Sequence, residues 1–292
     1  MSEEYKILTD FLDKLPSNKK YKDLKMIEAI ELNEVRNENC LDTMKLMSDN
    51  FVDLTVTSPP YDDLRTYNGY SFDFESIAKE LYRVTKKGGV VVWVVGDATK
   101  KGSESLTSFR QALFFKECGF NVETMIFETS TYMPIRANRY DNNFQYMFVF
   151  SKGKPKTFNP IMVMKSEKSL QRGKSGRYVS FRELDGKRQN KKPQKITTHK
   201  KKTNIWRFLT GFCSSSDNIA SKHPAIFPEQ LANDHIISWS NENDIVYDPF
   251  MGSGTTAKMA KINNRNWIGS EISKEYCDII HERLERMSGG LF

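Results

Sequence analysis

The stretch Asp248-Pro-Phe-Met-Gly-Ser-Gly-Thr-Thr256 lies between a run that reads as a strand, Ile245-Val-Tyr-Asp, and a run that reads as a helix, Thr255 to Ile262. Gly252 and Gly254 permit φ > 0 and let backbone approach a ligand closely, while the helix start presents unpaired N–H groups. The next strand ends at Glu271, 23 residues after Asp248, where a doubly wound sheet places an acid for ribose hydroxyls. This pattern predicts an α/β sheet that binds an adenosine-type cofactor. GxGxxG is absent and no Gly-Lys-Ser/Thr follows, so the turn is neither a dinucleotide fingerprint nor a phosphate loop. Asp248 at its opening disfavours phosphate and favours a cationic centre such as a sulfonium, which points to S-adenosylmethionine rather than NAD or ATP.

A second constraint comes early in the chain. The apolar run 52–56 feeds Thr57-Ser-Pro-Pro-Tyr61, where two prolines fix φ and remove donors, forcing the chain out of a sheet as a stiff turn. By itself this stretch reads equally well as a strand-ending surface loop. Around it, a helix is predicted over 74–84, closed by Lys86-Lys-Gly-Gly, followed by an apolar strand at 90–95. Strand, helix and strand in that order predict parallel pairing. An amphipathic helix over 106–118 precedes strands near 121–128 and 144–150, expected as an antiparallel edge pair. Their connection carries Arg136 and Arg139 among aromatics, suited to phosphate and base contacts but equally to an ordinary surface loop. Residues 1–30 read as helical, and Glu34-Val-Arg reads as a strand. Asp42 is expected to cap a short helix holding Met44 and Met47, and further helices are expected over 229–239 and 274–287.

Charge divides the chain unevenly. Residues 151–205 hold 17 Lys and Arg against Glu167, Glu183 and Asp185, a local excess of +14 within a net +7. The remainder, with 27 basic and 34 acidic residues, is about −7. A basic segment on an acidic body suits a polyanion, because phosphate contacts need clustered Lys and Arg, although a solvated lysine-rich loop has the same composition. Periodicity collapses over 152–205 and returns after it.

The longest apolar run, 89–95, is far too short to cross a bilayer, and the N-terminus lacks a basic start and apolar core, so no membrane association and a cytoplasmic protein are expected. Cys40, Cys118, Cys213 and Cys277 lack CxxC spacing, and the four histidines lack HExxH-type spacing, so no metal is predicted. None of the cysteines follows proline, which argues against attack through carbon 5 of a cytosine.

Taken together, Thr57-Ser-Pro-Pro-Tyr early, Asp248-Pro-Phe-Met-Gly-Ser-Gly-Thr-Thr late, Gly269-Ser-Glu271 after it and Lys222-His-Pro-Ala-Ile-Phe-Pro before it resemble the amino-group DNA methyltransferases of the beta arrangement. The resemblance covers residues 35–287 and implies a doubly wound, mostly parallel Rossmann-like methyltransferase sheet, circularly permuted so that the cofactor loop falls near the C-terminus. It implies a catalytic half at 1–151, an inserted target-recognition module at 152–205 and a cofactor-binding half at 206–292. Catalysis is assigned to Ser58, Pro59, Pro60 and Tyr61. The Ser58 hydroxyl and Pro59 carbonyl would accept the hydrogens of a base amino group, and Tyr61 would stack on the flipped base. S-adenosylmethionine would contact Asp248, Pro249, Phe250, Gly252, Ser253, Gly254, Thr255, Glu271, Thr57, His223 and Phe227, with Cys40 near the adenine. Double-stranded DNA would meet Arg65, Arg136, Arg139, Arg172, Arg177 and Arg182. A serine at the first motif position resembles the cytosine-N4 enzymes, while adenine-N6 enzymes more often carry Asp or Asn there. The implied setting is a restriction-modification or phage-protection system with a possible cognate endonuclease, the protein acting as monomer or homodimer. Competing expectations are an adenine-N6 enzyme, an RNA or small-molecule methyltransferase, and a catalytically idle DNA-binding partner.

Overall fold

The computed structural model describes residues 30–60, 72–129, 138–174, 179–183, 185–191, 197–210, 214–220, 223 and 226–289. The first half contains β1 (Glu34–Arg36), α1 (Cys40–Leu46), β2 (Val52–Thr57), α2 (Phe74–Val84), β3 (Thr85–Val95), the short pair β4 (Thr99–Lys100) and β5 (Ser103–Glu104), α3 (Thr107–Glu117), β6 (Asn121–Thr129) and β7 (Phe144–Ser151). The basic segment contains β8 (Met162–Met164), α4 (Glu167–Lys174), β9 (Val179–Arg182), β10 (Arg188–Lys191) and β11 (His199–Lys201). The last part contains β12 (Ile205–Phe208), α5 (Glu229–Trp239), β13 (Ile245–Asp248), α6 (Thr255–Ile262), β14 (Asn266–Ser270) and α7 (Lys274–Gly289).

Eight strands form the main sheet in the order β1-β14-β13-β2-β3-β7-β6-β12. β1, β14, β13, β2 and β3 are mutually parallel, and β7 runs antiparallel to both β3 and β6. The first strand among the described residues pairs with the last, Val35 opposite Gly269.

β3 shows why such a sheet forms. Every residue from Val90 to Val95 is buried, so the strand needs cover on both faces, as parallel strands do. Alternation then sorts its side chains. Val90, Val92 and Val94 join Leu54, Val56, Leu231 and Ile236 in one core. Val91, Trp93 and Val95 join Met44, Leu81, Phe115 and Phe150 in the other. Trp93 keeps its indole N–H satisfied inside this second core by donating to Gln111 Oε1 at 2.8 Å.

Several local expectations shift. Asn39, not Asp42, caps α1, accepting from Leu41 N at 2.9 Å, because the helix begins earlier, at Cys40. α2 does not run to the glycines. Thr85 is already extended and starts β3, and Gly88 (φ 82°) instead makes an irregular turn within the strand where the β2–β3 register shifts. β6 and β7 do pair antiparallel, but they are not the edge. β12, past the basic segment, adds outside β6, with Trp206 opposite Phe127. The helix expected over residues 1–30 falls, up to residue 29, outside the described residues.

The basic segment is not featureless. β8 and β11 form a ribbon and β9 and β10 a hairpin. Its base is tied to α5. Phe158 stacks on Trp239 at 4.9 Å, and Asn159 donates to the carbonyls of Ile237 (3.1 Å) and Ser240 (3.3 Å). Lys202 pairs with Asp234 at 3.1 Å, more than a turn earlier on the helix. The contacts of this base therefore run from the last turn of α5 back to its middle. Trp206 meanwhile stacks on the buried His235 ring at 4.7 Å, whose burial, with Lys202 nearby, pushes its pKa down to about 3 and keeps it neutral.

Phe115→Ala, which empties a fully buried position stacked on Phe150 at 4.3 Å, is expected to cost about 3–5 kcal/mol in urea unfolding. Leu113→Ala, two residues away on α3 and 62% exposed, is expected to stay within about 0.5 kcal/mol of wild type.

Candidate cofactor and catalytic site

β2 and β13 lie side by side and parallel, with Tyr247 opposite Thr55, so both finish at the same end of the sheet. Beyond them the chain opens into Ser58-Pro-Pro on one side and Pro249-Phe-Met-Gly on the other. The crevice outside the carboxyl ends of parallel strands is where open α/β sheets bind ligands. Thr57 Oγ donates to Asp248 Oδ1 at 2.6 Å, and the Phe250 amide donates to the same oxygen at 3.0 Å. Both Thr57 and Asp248 are buried. Burial raises the Asp248 pKa to about 6, against the hydrogen bonds from Thr57, Thr256 and the Phe250 amide, which favour the ionised form. Its Oδ1 is therefore committed to the protein's own loops, a task that sequence reasoning did not assign to it.

Gly252 has φ 53°, and a Cβ there would approach the His223 imidazole to 3.3 Å. Its amide donates to Glu271 Oε2 at 2.9 Å, while Ser273 N donates to Oε1 at 2.9 Å. Burial raises the Glu271 pKa, and these two amides oppose the rise. Beneath the turn, Met251 is pressed onto Gly269, where an added Cβ would lie 2.1 Å from Met251 Cε. A side chain at 269 would therefore make the Met251 side chain move, while the backbone angle of Gly269 is one that any residue adopts. Gly254 precedes α6, whose first turn holds the buried Thr255 and Thr256 and no acidic residue.

These residues suit an adenosine-type ligand with a cationic centre. Gly252 brings no side chain of its own to the turn and leaves room there for the His223 ring, a carboxylate stands at the rim, and no lysine or arginine lies in the turn for a triphosphate.

Behind the turn lies an ion network that the motifs do not announce. Arg283 on α7 is fully buried, donating through Nη1 to the Ser253 carbonyl (2.9 Å) and Thr255 Oγ1 (3.0 Å). Its other nitrogens meet Asp217 Oδ2 at 2.8 Å and Glu229 Oε1 at 2.6 Å. Lys258 on α6 reaches the same two oxygens at 2.6 and 2.7 Å. Two cations and two carboxylates therefore neutralise one another and prop the carbonyl of Ser253 from within. Burial would raise the Asp217 carboxyl, but hydrogen bonds from Lys258 and Arg283 prevail and hold it at about 2. The signal in the sequence is an arginine amid the apolar positions Ile279, Ile280 and Leu284.

The other predicted residues are distributed as follows. Ser58, Pro59 and Pro60 leave β2 beside the Asp248 turn, Pro59 buried and its neighbours half-buried. His223 is buried against Gly252, with its ring 4.4 Å from Tyr276, and Phe227 packs half-buried on the core. Phe250 packs edge-on to Phe72 and Trp93. Cys40 opens α1 in the core with Tyr247 and Ile268, and burial pushes its thiol up to about 12. Arg139 is exposed, donating to Thr99 Oγ1 at 2.7 Å, so the loop before β7 is tied to the β4–β5 hairpin beyond β3. Arg172 lies on α4 and Arg182 on β9. Tyr61, Arg65, Arg136 and Arg177 fall outside the described residues.

Arg283→Ala leaves Asp217 and Glu229 with one cation, Lys258, instead of two among the described residues and is expected to cost about 3–5 kcal/mol in urea unfolding. Because folding depresses the Asp217 pKa, its contribution is complete above the unfolded value of about 4 and is lost as pH falls toward about 2. Unfolding curves taken across that window should show wild type losing stability more steeply than Asp217→Asn.

Similarity to known proteins agrees with this geometry. Residues 52–282 match the N6/N4 family model described as DNA methylase. The orphan methyltransferase M.BamHII of Bacillus amyloliquefaciens is 59% identical over 244 residues, covering 80% of this chain and 89% of the relative. The type II methyltransferase M.BglII of Bacillus subtilis is 29% identical over 265 residues, covering 87% and 69%. Among solved structures, the PvuII DNA methyltransferase (cytosine-N4-specific) superposes with a TM-score of 0.63 at 20% identity, covering 85% of each chain. The M1.HpyAVI–SAM complex superposes with a TM-score of 0.55 at 21% identity, covering 86% of this chain and 98% of that one.

Proposed function

The chain belongs to the N6/N4 DNA methylase family, and on that footing we propose that it transfers the methyl group of S-adenosylmethionine to the exocyclic N4 amino group of a cytosine flipped out of double-stranded DNA. The observation that carries this reading is the Thr57–Asp248 hydrogen bond, which sets the Ser-Pro-Pro segment directly beside the glycine turn. On this reading the acceptors for an amino group lie next to the turn that cradles the methyl donor.

Bound there, the cofactor supplies an electrophilic methyl carbon on a sulfonium. The protein's part is to make a poor nucleophile competent. An amino nitrogen on a base has its lone pair delocalised into the ring. Ser58 Oγ and the Pro59 carbonyl accept its hydrogens, draw them out of plane and restore sp³ character. Proline stiffness holds both acceptors in place beforehand, so little reorganisation remains for the chemical step. Tyr61 stacks on the flipped base, Glu271 receives the ribose hydroxyls, and His223 and Phe227 close the methionine end, with Cys40 toward the adenine.

Residues 152–205 act as the target-recognition module between a catalytic half (1–151) and a cofactor half (206–292). What supports the assignment is that the base of this segment is tied to α5, the helix that leads into β13. Arg172, Arg177 and Arg182 within it, and Arg65, Arg136 and Arg139 outside it, meet phosphates and base edges. The biological setting is a restriction-modification or phage-protection system, in the cytoplasm, with the chain acting as monomer or homodimer and with or without a cognate endonuclease.

Ser58 is what favours cytosine. Adenine-N6 is the second reading, because a hydroxyl and a carbonyl suit either amino group. Incubation with S-adenosylmethionine and unmethylated DNA, followed by nucleoside mass spectrometry, is expected to yield N4-methylcytosine. N6-methyladenine would keep the mechanism and overturn the base, and absence of any methylated nucleoside despite cofactor binding would overturn the DNA reading. Ser58→Ala is expected to lower kcat about 10²-fold or more while cofactor affinity by calorimetry stays within about threefold.

A further inference from the structure

The ladder between β2 and β13 pairs Leu54 with Val246 and Thr55 with Tyr247. Past it each strand runs into proline, Pro59 two residues after Thr57 and Pro249 directly after Asp248. Proline has no N–H, so main-chain pairing cannot extend to hold the departing loops together. At that level side chains take over. Thr57 Oγ donates to Asp248 Oδ1, and Thr256 Oγ1 donates back across the junction to the Val56 carbonyl at 3.2 Å. The same Asp248 oxygen accepts from Phe250 N, two residues before Gly252, while Thr57 stands one residue before Ser58. One buried carboxylate oxygen therefore touches the root of both functional loops.

We propose that Thr57 and Asp248 are positioning residues that set the separation and orientation between the amino-group acceptors at Ser58 and Pro59 and the methyl donor held by the glycine turn. This rests on the methyltransferase reading above and holds for either target base. A direct contact of either side chain with the cofactor is not required, since both are buried and the shared oxygen is occupied by two donors of the protein itself. Thr57→Val removes the hydroxyl at nearly constant volume. The Phe250–Asp248 bond and the Gly252–Glu271 bond both remain, so the cofactor cradle keeps its hydrogen bonds while the Ser58 segment loses its tether. A misplacement of about 1 Å between reacting groups costs about 10²-fold in rate.

The test is a comparison of wild type, Thr57→Val, Thr57→Ser and Asp248→Asn, each shown folded by circular dichroism. Cofactor Kd is measured by calorimetry, and kcat and KM by methyl transfer to the same DNA. Thr57→Val is expected to lower kcat about 10²-fold with cofactor Kd and DNA KM within about threefold. Thr57→Ser is expected to restore kcat to within about threefold, and Asp248→Asn, which keeps Oδ1 as acceptor for both donors, to remain within about tenfold. Cofactor Kd rising in step with the loss of kcat would overturn the proposal and leave the pair as part of the cradle. So would unchanged turnover in Thr57→Val, or failure of Thr57→Ser to rescue. Should Thr57→Val not fold, Thr57→Ala against Thr57→Ser carries the same comparison. Methylation by the wild-type chain on that DNA tests the underlying reading separately.

Discussion

Everything at the site depends on the parallel pairing of β2 with β13, two strands about 190 residues apart in the chain. Because they run in the same direction, the loops that follow them emerge at one end of the sheet. Antiparallel pairing of the same strands would put the Ser-Pro-Pro segment and the glycine turn at opposite ends. Burial makes the pairing obligatory. Val52, Leu54, Val56, Val246 and Tyr247 are all fully buried, and only the middle of a sheet covered on both faces can accommodate them.

That placement is then held by charge and polar groups in the interior, which is an unusual use of them. Asp248 and Glu271 both have raised pKa values through burial, yet each accepts backbone or hydroxyl hydrogen bonds that shape the turn. Arg283, Lys258, Asp217 and Glu229 form a balanced set between α5, α6, α7 and the segment at 214–220. Buried ion pairs add little net stability against an apolar alternative, but removing one partner is costly. Their value here is directional. Arg283 bridges Ser253 and both carboxylates at once, so the glycine turn is braced against α5, α6 and α7.

The distribution of charge adds a functional logic at longer range. The basic segment carries +14 while the rest of the chain carries about −7. A polyanion approaching such a molecule is drawn to the basic segment and repelled elsewhere, which orients it before contact. That segment in turn is anchored at its base by Phe158, Asn159 and Lys202 on α5, the helix that leads into β13. The basic segment and the glycine turn are therefore both braced against α5.

Local chemistry was legible in the sequence. The glycine turn, Glu271 at the end of its strand, the proline-rich exit after β2 and the helices expected over 74–84, 106–118 and 229–239 all announce themselves within a few residues, because backbone freedom, capping and hydrophobic period are short-range properties. The misread details were competitions between neighbours. Asn39 outbid Asp42 for the cap of α1, and the glycines at 88 and 89 shaped β3 instead of ending α2. What tertiary structure alone decided involves partners far apart in the chain: β12 at the sheet edge beside β6, Arg283 reaching Asp217 and Glu229, and Thr57 reaching Asp248. Nothing near Arg283 or Thr57 specifies a partner, since an arginine in an apolar stripe and a threonine at a strand end each have many solutions. Only when the two halves of the chain close into one sheet does burial leave these groups a single way to satisfy their hydrogen bonds.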